Sequence, residues 1–275
     1  MASEFWYVDG FNLSTVAYDI VTRDGLDSTP VVVGENVAYN QQHGERWVRK
    51  YFGPARKQLT LYVSSKSIST GFEGANLDEQ RKNLDANIDF LTRLFSRRNK
   101  LLTVKRDLSD GTSRVAQAEV VMTMDPVTIG LSSARMGVEL FIPSGFWRDE
   151  NSSTLADNIA PGTNIVLSNL ASASAPMTDL TFNVTGPITN PRVTDVESAS
   201  WVQYNGAIGA GTTLSIVNST MTITGGTLAN MTHAGEVNWL TLYPTATNGT
   251  RVTFAGSGTT GATKLQVVGK KAFIR

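Results

Sequence analysis

One stretch of the 275-residue chain carries helical periodicity, and it limits what the rest can be. Residues 76–99 read NLDEQRKNLDANIDFLTRLFSRRN, with Leu77, Leu84, Ile88, Leu91 and Phe95 at steps of seven, four, three and four. That spacing places them on one helical face. Asn76 suits an N-cap, and Glu79 three places on completes a capping-box pattern. Asp78 and Glu79 crowd the first turn, and Arg97, Arg98 and Lys100 the last, as the helix dipole favours. No helix of normal length is expected after residue 150. The fold class expected is mainly β, with an α+β first part built around one helix.

Strand signals surround it. LLTVKRDL, a Ser109-Asp110-Gly111 turn and RVAQAEVVMTMDPV predict a long hairpin over residues 101–127. In its second arm Ala116, Ala118, Val120, Met122 and Met124 alternate with Gln117, Glu119, Val121 and Thr123, so one face is apolar. ARMGVELFIPS predicts a further strand. Upstream, residues 4–8 (EFWYV) end at an Asp9-Gly10 turn, and Val31, Val32 and Val33 form a short apolar run. Residues 47–52 (WVRKYF) and 58–64 (QLTLYVS) also read as strands.

A change of composition marks a boundary near residue 150. The first 150 residues hold 18 Lys/Arg, 19 Asp/Glu and 10 Thr, against 6, 5 and 22 in the remaining 125. A Thr-rich, charge-poor tract with frequent Gly suits strands packed as a sandwich. The expected domains are 1–150 and 151–275, with a linker over 151–162. Strands are expected at 164–168, 180–185, 192–196, 201–204, 213–217, 221–224, 237–243, 251–255 and 264–268. Asn205-Gly206, directly after WVQY, predicts a hairpin turn.

In this order the parts resemble the distal tail proteins of long-tailed siphophages. The resemblance is carried by the capped helix, RNKLLTVKRDLSDGTSRVAQAEV, ARMGVELFIP and SGFWRDE, then by FNVTGPITNPRV and WVQYNGAIGAGTTLSI. It implies a ring-forming split-barrel or sandwich domain with one helix over 1–150, and a galectin-like β-sandwich over 151–275. It implies a structural virion protein forming a hexameric ring at the distal end of the tail. That ring would join the tail-tube protein to the tail-tip or baseplate hub (the tail-associated protein) and leave a DNA channel. Adhesion or receptor-binding proteins are further implied partners. DNA would only pass through, and no membrane insertion is implied. The location implied is the virion tail tip, after synthesis in the host cytoplasm. Residues 11–53 match no motif of the family, and the second domain leaves no room for an inserted sugar-binding module.

The remaining signals point away from chemistry. Formal net charge is zero, from 24 basic and 24 acidic residues, which gives no whole-chain grip on nucleic acid or an anionic membrane. There is no cysteine, hence no disulfide or thiolate site. The N-terminus lacks a signal-peptide core, and no stretch nears the roughly 20 apolar residues of a membrane span. Gly256, Gly258 and Gly261 spell G-x-G-x-x-G, but TKLQVV follows where a nucleotide site needs a helix, so a turn is expected. His233 and Glu236 are three apart, too few ligands for zinc, and His43 beside Glu45 is weaker. Asp78, Asp85 and Asp89 lie off the helix's apolar face and read as a solvated face or a subunit contact. Arg97, Arg98, Lys100, Lys105 and Arg106 are diluted by Asp107 and Asp110. Trp201, Tyr204, Trp239 and Tyr243 fit either a sandwich core or a sugar-stacking platform. The sequons at Asn183, Asn218, Asn230 and Asn248 read as products of a Thr-rich composition.

No catalytic, cofactor-binding or metal-ligating residue is assigned, no cofactor is implied, and the chain is not expected to be an enzyme. The alternatives to a distal tail protein are a carbohydrate- or receptor-binding module of a phage tail or bacterial surface protein, and a tail-tube subunit.

Overall fold

The computed structural model describes residues 4–22, 29–38, 45–46, 48, 50–97, 99–123, 125–235, 239–245 and 249–274. The chain divides into two compact units, residues 1–147 with 274–275, and residues 148–273. The fold is mainly β with one α-helix among the described residues.

In the first unit one antiparallel sheet runs in the order Phe11–Asn12, Phe5–Val8, Leu102–Asp107, Ser113–Thr123, Ser133–Ile142, Ala55–Ser64, Tyr18–Thr22. Its centre is an unbroken register in which Ala55–Ser64 pairs residue for residue with Ser133–Ile142. Ala55, Lys57, Leu59, Leu61 and Val63 are buried and their neighbours are not, which is the period-2 signature of a strand with one covered face. The predicted hairpin is present as Leu102–Asp107 and Ser113–Thr123. Its turn is closed by the Asp110 carboxylate, which accepts from the Thr112 N–H and Oγ1, with Gly111 at φ +82°.

The alternation expected for the second arm holds through Ala116, Ala118 and Val120, then fails. A bulge between Val120 and Met122 shifts the register against Ser133–Ile142 and leaves Met122 exposed. One extra residue exchanges the two faces of the strand beyond it. Met124 lies outside the described residues.

The helix is Leu77–Phe95, shorter than the expected 76–99. Asn76 Oδ1 accepts from the Glu79 N–H, while the Glu79 carboxylate reaches back to the Ala75 N–H, one place further than a capping box requires. Leu84, Leu91, Leu94 and Phe95 are buried, but Leu77 is 61% exposed. The face also holds Asn87, a buried amide whose Nδ2 donates to the Ser64 and Lys66 carbonyls. It ties the helix to the end of strand Ala55–Ser64. Arg93 is the basic residue of the last turn. Arg97 and Lys100 lie beyond the helix and serve another purpose, described below. Arg98 is outside the described residues.

The second unit holds two sheets. One runs Ser153–Ile159, Lys264–Gly269, Leu180–Thr185, Thr213–Val217, Thr222–Thr224. The other runs Gly162–Leu167, Thr250–Ser257, Ile188–Asp195, Trp201–Tyr204, Met231–Ala234. Leu180, Phe182, Val184, Leu265, Val267, Leu214 and Ile216 of the first are buried, as are Val193, Val202, Val252 and Phe254 of the second. The inner faces meet beside Gly226, where a Cβ would lie 2.7 Å from Leu214 Cδ1 and 2.9 Å from Tyr204 Cε2. This is a β-sandwich.

Several sequence expectations need correction here. Residues 153–159, placed in a linker, form an edge strand that pairs with Lys264–Gly269 across two bulges. Polar residues and interrupted pairing are usual at sheet edges, which is why the segment does not alternate. Asn205-Gly206 is not a hairpin turn. Trp201–Tyr204 and Ala207–Ile208 both pair with Ile188–Asp195, so the chain continues in one direction through the dipeptide. Neither residue has positive φ, whereas Asn190 across from them has φ 52°. Trp239, Leu240, Thr241, Leu242 and Tyr243 form no strand; Leu242 makes only an isolated bridge to Met177. The expectations at 47, 49, 237 and 238 fall outside the described residues. No helix among the described residues is long and apolar enough to cross a membrane.

Asn218, marked by the sequence only as a sequon, is 1% exposed and organises that strandless segment. Its Nδ2 donates to the Thr178 and Leu240 carbonyls, and its Oδ1 accepts from the Leu240 N–H. Asn218→Ala would take the side-chain partner from two buried backbone groups of Leu240 and from the part-buried Thr178 carbonyl. Chemical denaturation should show a loss of about 3 kcal/mol; a loss below about 0.5 kcal/mol, the range of ordinary surface changes, would contradict this account.

Candidate interaction surfaces

The candidate chemical groups are dispersed by the fold. Asp78, Asp85 and Asp89 are exposed along the helix. His233 is exposed on Met231–Ala234; Glu236 and His43 lie outside the described residues. Of the Gly256-to-Gly261 run, Gly256 and Ser257 end strand Thr250–Ser257 and only the rest turns toward Lys264–Gly269, with no helix after it. Among the described residues no group of three or more His, Cys, Asp or Glu could hold a metal.

The basic residues are held by carboxylates. Asp9 sits at φ 49° in the turn after Phe5–Val8. Its Oδ2 takes Arg97 Nη1 at 2.9 Å and Lys100 Nζ at 2.6 Å, and its Oδ1 accepts from the Thr103 N–H at 2.9 Å. The turn is thereby fastened to the segment between helix and hairpin. Arg106 is buried over Trp6 and bonded to Glu4, and Lys105 pairs with Asp107. Among the described residues, these positions hold no row of free cations for phosphate.

The aromatic platform is also absent. Tyr204 and Trp239 are buried, and the half-buried Trp201 ring is covered by the Arg192 guanidinium at 4.1 Å. Packing accounts for these three, and Tyr243 is half-buried in the segment that Asn218 holds, its N–H donating to Asp195.

What the sequence did not signal is an imbalance of apolar exposure. Of the large apolar side chains exposed among the described residues, all but Val166, Met221 and Leu228 lie in the first unit. Val31, Val32, Val33, Tyr51 and Phe52 form an apolar ribbon in which Val32 pairs with Phe52 and Val33 with Tyr51. Its root is fixed: Phe52 meets Phe146 edge to face, and Gly145 (φ +73°) lies so close that a Cβ there would be 2.4 Å from the Gly53 carbonyl oxygen. Val127, Ile129 and Leu131 form a second exposed group, joined to the sheet by Val127–Thr128. Phe72 is 77% exposed, and exposed Val16 approaches Gly71 beside it. Contiguous apolar exposure beyond a few hundred Å² marks a surface that another molecule covers.

No protein-family profile matches the sequence, and no curated protein does. Among solved structures, the SPP1 Dit protein, described as a paradigm of the hub adsorption apparatus of phages infecting Gram-positive bacteria, aligns over 98% of this chain and 99% of its own. The TM-score is 0.63 at 12% identity. The two share a fold from end to end. The phage P2 baseplate in its activated conformation with calcium also aligns, over 98% of both chains, at 8% identity and a TM-score of 0.40, which is too low to carry an argument.

Two carboxylates, the half-buried Asp9 and the fully buried Asp195, are shifted in opposite directions. Burial raises the Asp9 pKa, but Lys100, the Thr103 N–H and Arg97 outweigh it and hold the carboxyl below its usual 3.8. Its contribution to stability is therefore present above that value and lost as pH falls through the lowered one. Burial pushes Asp195 up despite bonds from Ser198 and the Tyr243 N–H, so its contribution is greatest at low pH and lost as pH rises through the raised value. Asp9→Asn should cost about 2 kcal/mol at neutral pH. In urea titrations its deficit against wild type should shrink below pH 3.8; a deficit unchanged in acid would contradict the ion-pair account.

Proposed function

We propose that this chain is a structural component of a siphophage tail tip, closing with five other copies into a ring that joins the tail tube to the hub. The observation that carries this reading is the end-to-end likeness of fold to the SPP1 Dit protein. It agrees with the resemblance of the helix, hairpin and FW segment to distal tail proteins, and its physical support is the uneven apolar surface. A ring needs two different faces on each copy, each complementary to the other. The ribbon of Val31–Val33 with Tyr51–Phe52 and the group at Val127, Ile129 and Leu131 supply two separate apolar faces on one unit.

The magnitudes suit assembly. Association costs up to about 15 kcal/mol, and apolar burial returns about 25 cal/mol per Å². Covering about 600 Å² of apolar surface therefore offsets it, within the size of an ordinary specific interface. The tube protein, the hub and adhesion proteins are the partners of this reading, and the work it assigns is assembly, with no catalysis. Zero net charge suits a channel through which DNA passes without being held.

The test is the solution mass of the purified full chain. Six copies of 29.7 kDa give about 178 kDa, or twice that for stacked rings. Val32→Lys together with Leu131→Lys should raise the concentration needed for half-assembly at least tenfold, which corresponds to about 1.4 kcal/mol. A monomer of 29.7 kDa at every concentration, or filaments that never close, would overturn the ring.

A further inference from the structure

The outer face of the five-stranded sheet carries a different kind of surface. Strands Lys264–Gly269, Leu180–Thr185 and Thr213–Val217 are neighbours in simple register. Gln266, Asn183 and Ser215 therefore stand side by side in one row, and Lys264, Thr185 and Thr213 in the next. The rows are bonded across: Ser215 Oγ donates to Asn183 Oδ1 at 2.7 Å, Asn183 Nδ2 to Gln266 Oε1 at 3.0 Å, and the Thr185 and Thr213 hydroxyls are 3.1 Å apart. The bulged edge strand closes one side. Asp157 accepts from Gln266 Nε2 at 3.4 Å, and Asn158 stands beside it at φ 53°. These eight residues line a groove of about 470 Å³.

We propose that this groove binds a neutral polyhydroxylated ligand, one or two sugar rings of a glycan. Every lining side chain is polar, and the amides and hydroxyls each offer both a donor and an acceptor, as a hydroxyl-rich ligand requires. The titratable groups facing it are one lysine, Lys264, and one aspartate, Asp157, so the lining has no net charge to favour an anion or a cation. The volume lies within the roughly 300–1,000 Å³ of small-molecule sites. The side chains are pre-ordered by their own bonds, so a ligand need not pay to fix them. No aromatic ring lines the groove for stacking, which sets the expected affinity near about 1 mM. This site is separate from Trp201, Tyr204, Trp239 and Tyr243, and it does not depend on the ring.

Saturation-transfer NMR on the full chain, with glucose, galactose, N-acetylglucosamine and their β-1,4-linked disaccharides as probes, tests it. At least one sugar should give a signal. The signal should fall at least tenfold in the double variant Asn183→Ala, Gln266→Ala and persist in His233→Ala, whose change lies on the other sheet. Both variants alter outward-facing side chains, and thermal melting checks that they remain folded. No signal from any probe, or a signal that survives the double variant, overturns the proposal. So does competition by inorganic phosphate, which would make the groove an anion site of Lys264. The readout holds at any oligomeric state, so failure here leaves the tail-tip reading standing.

Discussion

The unbroken register between Ala55–Ser64 and Ser133–Ile142 is the constraint on which the first unit rests. A slip of one residue would turn Leu59, Leu61 and Val63 to solvent and bring Gln58, Thr60 and Tyr62 inward. That cost fixes which face receives the helix. Leu84, Leu91, Leu94 and Phe95 cover it, and Asn87 satisfies the carbonyls of Ser64 and Lys66 where the strand ends. Asp9 then fastens the far side of the sheet to the chain leaving the helix, with two cations and one backbone N–H on a single carboxylate.

The two units treat water differently. The second buries its apolar residues between two sheets and shows a Thr-, Asn- and Ser-rich exterior. The first leaves valines, phenylalanines and leucines exposed on a ribbon and a loop. A lone chain gains nothing from that exposure. Repeated copies covering one another's ribbons and loops would recover it, and this is the physical basis of the assembly proposed above.

Much of the fold was legible because its signals are local. The Asn76 cap, the Asp110-Gly111 turn and the alternation of residues 58–64 each depend on neighbours in sequence. The failures depend on partners far away. The bulge after Val120 is set by the strand Ser133–Ile142, and the role of Asn205-Gly206 by Ile188–Asp195. Asn87 and Asn218 look like ordinary polar residues until the carbonyls they serve are seen. The groove of Asn183, Ser215 and Gln266 was invisible for the same reason, since three strands distant in sequence supply one row.

The central claim is that other copies of the chain cover the first unit's apolar surface. Amide hydrogen exchange of the full chain at increasing concentration tests it most directly. The account predicts rising protection at residues 31–33, 51–52 and 127–131, with the second unit's outer strands unchanged. Protection that stays the same in those segments while the mass of the particle grows would place the interface elsewhere and contradict it.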